Sequence, residues 1–238
     1  LTPAGPLNVD EAAAVGLSTA LMDDGFDAAV SRRMQVDHGF TQSLQMLWGD
    51  DLGATPPVVP IFMNAVAQPG IPRLRRCRQL GEAIGRFVDT LPGRTLLLGS
   101  GGLSHEPPVP TLQHPDATVR ERITVKREPT AAERERKTQV VMAAGKALAA
   151  RDGSIKALNP QWDERWIDLL QRGELSSFDA ISEDSIEHEA GLSAHESKTW
   201  LIARAALPAG RALPCPLRYY RAIPEYIAGY GLLYLQGA

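Results

Sequence analysis

The stretch "RTLLLGSGGLSHEPP", residues 94–108, decides how the chain is read. Its leucines form an apolar run too short for a helix, and the glycines that close it mark the end of a buried strand. "PVVPIFMNAV" (57–66) has the same apolar, β-branched character and reads as a strand buried on both faces, and "FDAAVSRRM" (26–34) is a shorter strand candidate. Helical patterns separate the three. "NVDEAAAVGLSTALMDDG" (8–25) places Asn8 as N-cap, Glu11 three residues on and Gly25 at the stop. "TQSLQMLWG" (41–49) reads as a second helix, and "RLRRCRQLGEAIGRFVDTL" (73–91) as a long amphipathic one. The order α, β, α, β, α, β implies an α/β fold with a mainly parallel central sheet and helices on both faces.

Beyond Pro108 the pattern turns helical. "TAAERERKTQVVMAAGKALAARDG" (130–153) opens with Thr130 and Glu133 in capping-box spacing, and its alternating charges suit a solvated face. Helices follow around "QWDERWIDLLQRG" (161–173) and "SAHESKTWLIARAAL" (193–207). The aromatic, glycine-containing "RYYRAIPEYIAGYGLLYLQGA" (218–238) is expected to cover a sheet edge or a pocket mouth. Without repeats or a low-complexity linker, residues 1–238 read as a single domain.

Composition narrows the function. The 238 residues are 44% hydrophobic, enough for a substantial core, and the net charge is −3. "RLRRCR" (73–78) is the one basic cluster, which argues against nucleic acid and for a small-molecule partner. Two cysteines, Cys77 and Cys215, support neither a disulfide scaffold nor a thiolate zinc site, and a reducing cytoplasm is expected. No apolar run reaches the ~20 residues of a membrane span, and nothing at the start reads as a signal peptide. The chain begins at Leu1 rather than Met and is read as a fragment.

Ligands of open parallel sheets bind beyond the carboxyl ends of strands. His38, in "MQVDHGF" (34–40), and His105 occupy that position after two different strand candidates. Glu196, in "SAHESKTW", is a third candidate, although its spacing from Ser193 also fits a capping box. "HEAGLSAHE" (188–196) lacks the HExxH spacing of a helical metal pair, and "GSGGLS" is neither a dinucleotide fingerprint nor a P-loop. Ser104 beside His105 lacks the GxSxG context of a serine hydrolase. From the residues alone, two histidines and a glutamate suggest a non-haem Fe(II) facial triad.

"MQVDHGF", "LGEAIGRF", "LGSGGLSHEPPVP", "LNPQWD", "HESKTW" and "RYYRAIPEYIAGYG", in this order along essentially the whole chain, resemble the class III extradiol ring-cleaving dioxygenases of the protocatechuate 4,5-dioxygenase β-subunit type. The resemblance implies Fe(II), O2 and a catechol substrate, 3-(2,3-dihydroxyphenyl)propionate or its cinnamate analogue, in a cytoplasmic homo-oligomer that binds neither nucleic acid nor membrane. It also reassigns the triad: His105 becomes the proton acceptor, His38 the proton donor, and only Glu196 remains a metal ligand. The family's two iron-binding histidines lie in N-terminal motifs that this sequence does not contain, so about the first quarter of the family domain is expected to be missing. Asp37 would tune His38, Pro107 would fix the loop carrying His105, and Arg221, or Arg218, would receive the substrate carboxylate. Two other readings remain: a non-catalytic metal- or partner-binding member of the same fold, and a metal-dependent hydrolase.

Overall fold

The computed structural model describes residues 5–36, 38–125 and 129–237. Eight α-helices are described: α1 (Glu11–Asp23), α2 (His38–Trp48), α3 (Leu74–Val88), α4 (Ala117–Thr124), α5 (Ala131–Ala150), α6 (Pro160–Arg172), α7 (Glu183–Ala190) and α8 (Lys198–Ala205). Strands β1 (Leu217–Ile223) and β2 (Ala228–Tyr234) form an antiparallel hairpin. Local chemistry explains the helix ends. Thr130 and Glu133 close the expected capping box on α5. Asn159 caps α6, Pro160 starts it, and Gly173 ends it in the left-handed region. At α1 the cap is Asp10, which accepts from Ala13 N–H; Asn8 instead donates to the Thr55 carbonyl.

The chain is α/β, but the expected parallel sheet does not appear among the described residues. Their one ladder is the hairpin, and their one parallel pairing is an isolated bridge between Val9 and Val58. Residues 26–34 form no strand. In 57–66, Pro57 and Pro60 remove backbone donors that a central strand needs. Residues 94–99 have no ladder partner, and Leu97 packs toward α1 and α3 while Leu96 and Leu98 remain exposed. The glycines after them serve a different approach. At Gly101 any Cβ would collide with the Glu196 carbonyl, so the segment lies directly on the turn leading into α8. Thr199 Oγ1 donates to the Ser100 carbonyl at 2.8 Å and Trp200 Nε1 to the Gly101 carbonyl at 2.9 Å, which fix that contact.

The main core is built on the apolar stripe of α6. Trp162, Trp166, Ile167 and Leu170 recur at helical spacing and pack with Leu74, Phe178, Ile186 and Leu201. Trp166 stacks on Trp162 at 4.8 Å and meets Phe178 edge-on at 4.7 Å. Each such pair adds about 0.5–1.5 kcal/mol beyond area burial. A smaller cluster joins α1 to α3 through Leu17, Leu21, Ala83 and Ile84. No helix among the described residues is long and apolar enough to cross a membrane.

Candidate functional site

Loop 100–105 brings the site together. Its Ser100 hydroxyl donates to the Gly39 carbonyl at 2.8 Å and accepts from Ser43 Oγ at 2.9 Å, which ties the start of α2 to the loop. His38 is the first residue of α2 and is exposed. At the other end, His105 N–H donates to the Ala190 carbonyl at 2.9 Å, and its side chain is only 11% exposed. The imidazole is held at Nδ1 and faces a carboxylate at Nε2. Nδ1 lies 2.8 Å from the Leu103 carbonyl, which can only accept, so Nδ1 carries a proton. Nε2 then faces Glu196 Oε2 at 3.5 Å.

Glu196 lies in a 3-10 turn, residues 192–197, just before α8. Its capping-box reading does not hold: Oε2 accepts from Gly102 N–H at 3.1 Å, across the site, rather than from a backbone donor near Ser193. Burial would raise this carboxyl, but the His105 imidazole, the Gly102 N–H and the charge of His38 outweigh it and hold the pKa below the ordinary carboxylate range. His105 is the counterpart. Burial would lower the imidazole, and the hydrogen bond and charge of Glu196, with the Leu103 carbonyl, raise it instead. The carboxylate thus stabilises the imidazolium that forms when Nε2, unprotonated in the neutral ring, takes up a proton.

The turn is braced from behind. Lys198, fully buried, donates from Nζ to the Pro72 carbonyl at 2.7 Å and faces Glu183 Oε1 at 3.4 Å; Glu183 also pairs with Arg73. His195, fully buried as well, places Nε2 3.1 Å from Glu187 Oε1. Burial lowers the pKa of both the ammonium and the imidazole.

The structure therefore brings His38, His105 and Glu196 to one loop. Asp37 lies outside the described residues. Pro107 lines a hollow of about 300 Å³ with Glu106, Pro108, Lys156 and Leu192. Arg221 is not brought to the cluster: it is exposed on β1, opposite Tyr230, while the adjacent Tyr220 turns inward to Asp163. Arg218 is engaged by Glu164, Asp168 and Gln171 on and near the outer face of α6. Among the described residues no group of three or more His, Cys, Asp or Glu side chains is placed so that it could hold a metal ion. Glu196, with its side chain 39% exposed, offers a single carboxylate, so the described residues do not by themselves complete a metal site. Sequence reasoning missed Asp163, Ser104 and Tyr220, which meet beneath His105. The available signal was a carboxylate at position 163 on the otherwise apolar stripe 162, 166, 167 and 170.

Residues 2–231 match the family model described as the catalytic LigB subunit of aromatic ring-opening dioxygenase. A 2,3-dihydroxyphenylpropionate/2,3-dihydroxicinnamic acid 1,2-dioxygenase of Comamonas testosteroni is 63% identical over 235 residues, which are 99% of this chain and 73% of that protein. Proteins of the same name from Klebsiella pneumoniae and Burkholderia vietnamiensis are 48% and 46% identical, each over 97% of this chain and 73% and 72% of their own lengths.

Proposed function

Because the chain belongs to the family of the catalytic LigB subunit of aromatic ring-opening dioxygenases, we propose that it performs extradiol cleavage of 3-(2,3-dihydroxyphenyl)propionate, and of its cinnamate analogue. O2 is the co-substrate and a 2-hydroxy-6-oxo-nonadienedioate the product. One observation carries the reading: 63% identity across 99% of the chain to a dioxygenase so named. The convergence of His38, His105 and Glu196 on loop 100–105 supports it.

Fe(II) is the metal this reading calls for, and Glu196 is the residue of this chain offered to it. The remaining roles belong to the chain's own groups. A catechol gives up hydroxyl protons as it becomes a catecholate, and His105 Nε2 is the accepting atom, its lone pair left free when Nδ1 bonds the Leu103 carbonyl. His38, exposed at the start of α2 and close enough for its charge to act on Glu196, returns a proton to the departing oxygen. Within this reading residues 1–238 act as a single domain in the cytoplasm, and Pro107 fixes the loop after His105. The mainly parallel sheet draws support from the Val9–Val58 bridge. Self-association draws support from the outward face of the hairpin, where Leu217, Tyr219, Tyr230, Leu232 and Tyr234 are all about half exposed. The test is direct: iron-loaded full chain is mixed anaerobically with the catechol, air is admitted, and a yellow ring-fission product is expected. Absence of that absorbance from iron-replete protein sinks the assignment.

A further inference from the structure

None of these roles uses the carboxylate beneath the His105 loop. Asp163 lies in the first turn of α6 and is fully buried, with no cation among its hydrogen-bond partners. Three donors offset part of the cost of burying its charge, and burial still holds the carboxyl above its ordinary range. Ser104 N–H reaches Oδ1 at 2.7 Å, Ser104 O–H reaches Oδ2 at 2.8 Å, and Tyr220 O–H reaches Oδ2 at 2.6 Å. The direction of the Ser104 hydroxyl is set, because Oγ accepts from Asn159 N–H at 2.9 Å and so gives its own proton to Asp163.

The Ser104 N–H belongs to the same peptide unit as the Leu103 carbonyl, and that carbonyl is the partner of His105 Nδ1. A peptide unit is planar and trans, so its N–H and C=O point in opposite directions. Anchoring the N–H on Asp163 therefore aims the carbonyl at the imidazole. The hairpin brackets the same unit: Leu103 N–H donates to the Gly229 carbonyl at 3.3 Å, and Gly229 N–H to the Ser104 carbonyl at 3.0 Å. A Cβ at position 229 would collide with Asp163 Oδ2, so glycine is required for this closure.

We infer that Asp163, held by Tyr220, is a positioning residue that orients His105 through the Leu103–Ser104 peptide, keeping Nδ1–H on the Leu103 carbonyl and Nε2 toward Glu196. The role assigned to His105 rests on the proposed function; the orientation of its ring does not.

The test uses Asp163→Asn and Tyr220→Phe in the full chain labelled with 15N-histidine, with the His105 signal assigned through His105→Gln. In the parent protein the His105 Nδ1–H is retained against solvent exchange. In Asp163→Asn it exchanges at least about tenfold faster, and kcat falls about tenfold while KM for the catechol stays within about twofold, the scale of losses from supporting residues around a site. Tyr220→Phe moves both readouts in the same direction by less. A lowered melting temperature with His105 exchange and kcat unchanged in a folded variant overturns the inference and leaves Asp163 a structural anchor only. Should Asp163→Asn fail to fold, Tyr220→Phe, which removes one oxygen, decides alone. A parent protein without ring cleavage refutes the proposed function, while the exchange measurement still decides the orientation.

Discussion

The part of the molecule that holds His105 and the part that holds His38 contain similar apolar residues put to different use. Around His105, helices α6, α7 and α8 bury Trp166, Ile167, Leu170, Phe178, Ile186 and Leu201 almost completely. Around His38, Val30, Met34, Ile61 and Phe62 remain largely exposed, as does Leu96 at 56%. The difference lies in partners. Each buried residue of the first group sits on an element with another element packed against its apolar face, whereas the extended segments of the second have no ladder neighbour among the described residues. Apolar content alone does not determine burial; pairing does. The consequence for the site is one imidazole, that of His105, held at Nδ1 and facing Glu196, and another, that of His38, on an open surface.

The sharpest way to break this contrast is to change the two histidine environments separately. His38→Gln is expected to lower kcat by ~10²–10⁴, the range for a positioned acid or base. Its unfolding free energy in urea should stay within about 0.5 kcal/mol of the parent, as for an exposed side chain away from packed contacts. A large loss of stability would mean that α2 is anchored through His38. The next effect is on packing: Trp166→Ala should cost about 3–5 kcal/mol in the same measurement, while Leu96→Ala should cost under about 0.5 kcal/mol. Equal costs would show that residues 94–99 are buried in solution.

The smallest effect concerns pH. Glu196 is held below its ordinary 4.5, so its contribution to stability is present above pH 4.5 and is lost as pH falls through the lower folded value. His105 is raised above its ordinary 6.5, so its contribution is complete below pH 6.5 and is lost as pH rises through the higher folded value. The stability difference between the parent and Glu196→Gln should therefore be widest between these two pH values and narrow on either side. With the Glu196 side chain 39% exposed, solvent screening keeps it under about 1 kcal/mol. A difference that is flat across pH 3–9 would show that the pair is not coupled in solution.

What the sequence disclosed follows the range of the interactions involved. The capping box of α5 and the helix over 161–173 depend on residues a few positions apart and were legible. The three apolar runs were read as strands, yet pairing depends on a distant neighbour that composition does not name. In the hairpin, Tyr220 faces inward between outward-facing Tyr219 and Arg221, and aromatics on both faces hide the alternation that announces a strand. His105 was found because glycines and an apolar run precede it. The partner of Glu196 was not, since Gly102 lies 94 residues away and local spacing pointed instead to Ser193. Asp163 was missed as a support for His105, because that link passes through a peptide 59 residues away.

The hairpin that closes beneath loop 100–105 also orders events in time. Synthesis proceeds from the N-terminus, so Asp163 and the peptide it grips exist before the ribosome has made Tyr220, 57 residues later, or Gly229. Contacts between such distant residues form slowly and late. The tryptophan-rich helix is thus synthesised in full before the hairpin residues that close on the His105 loop exist.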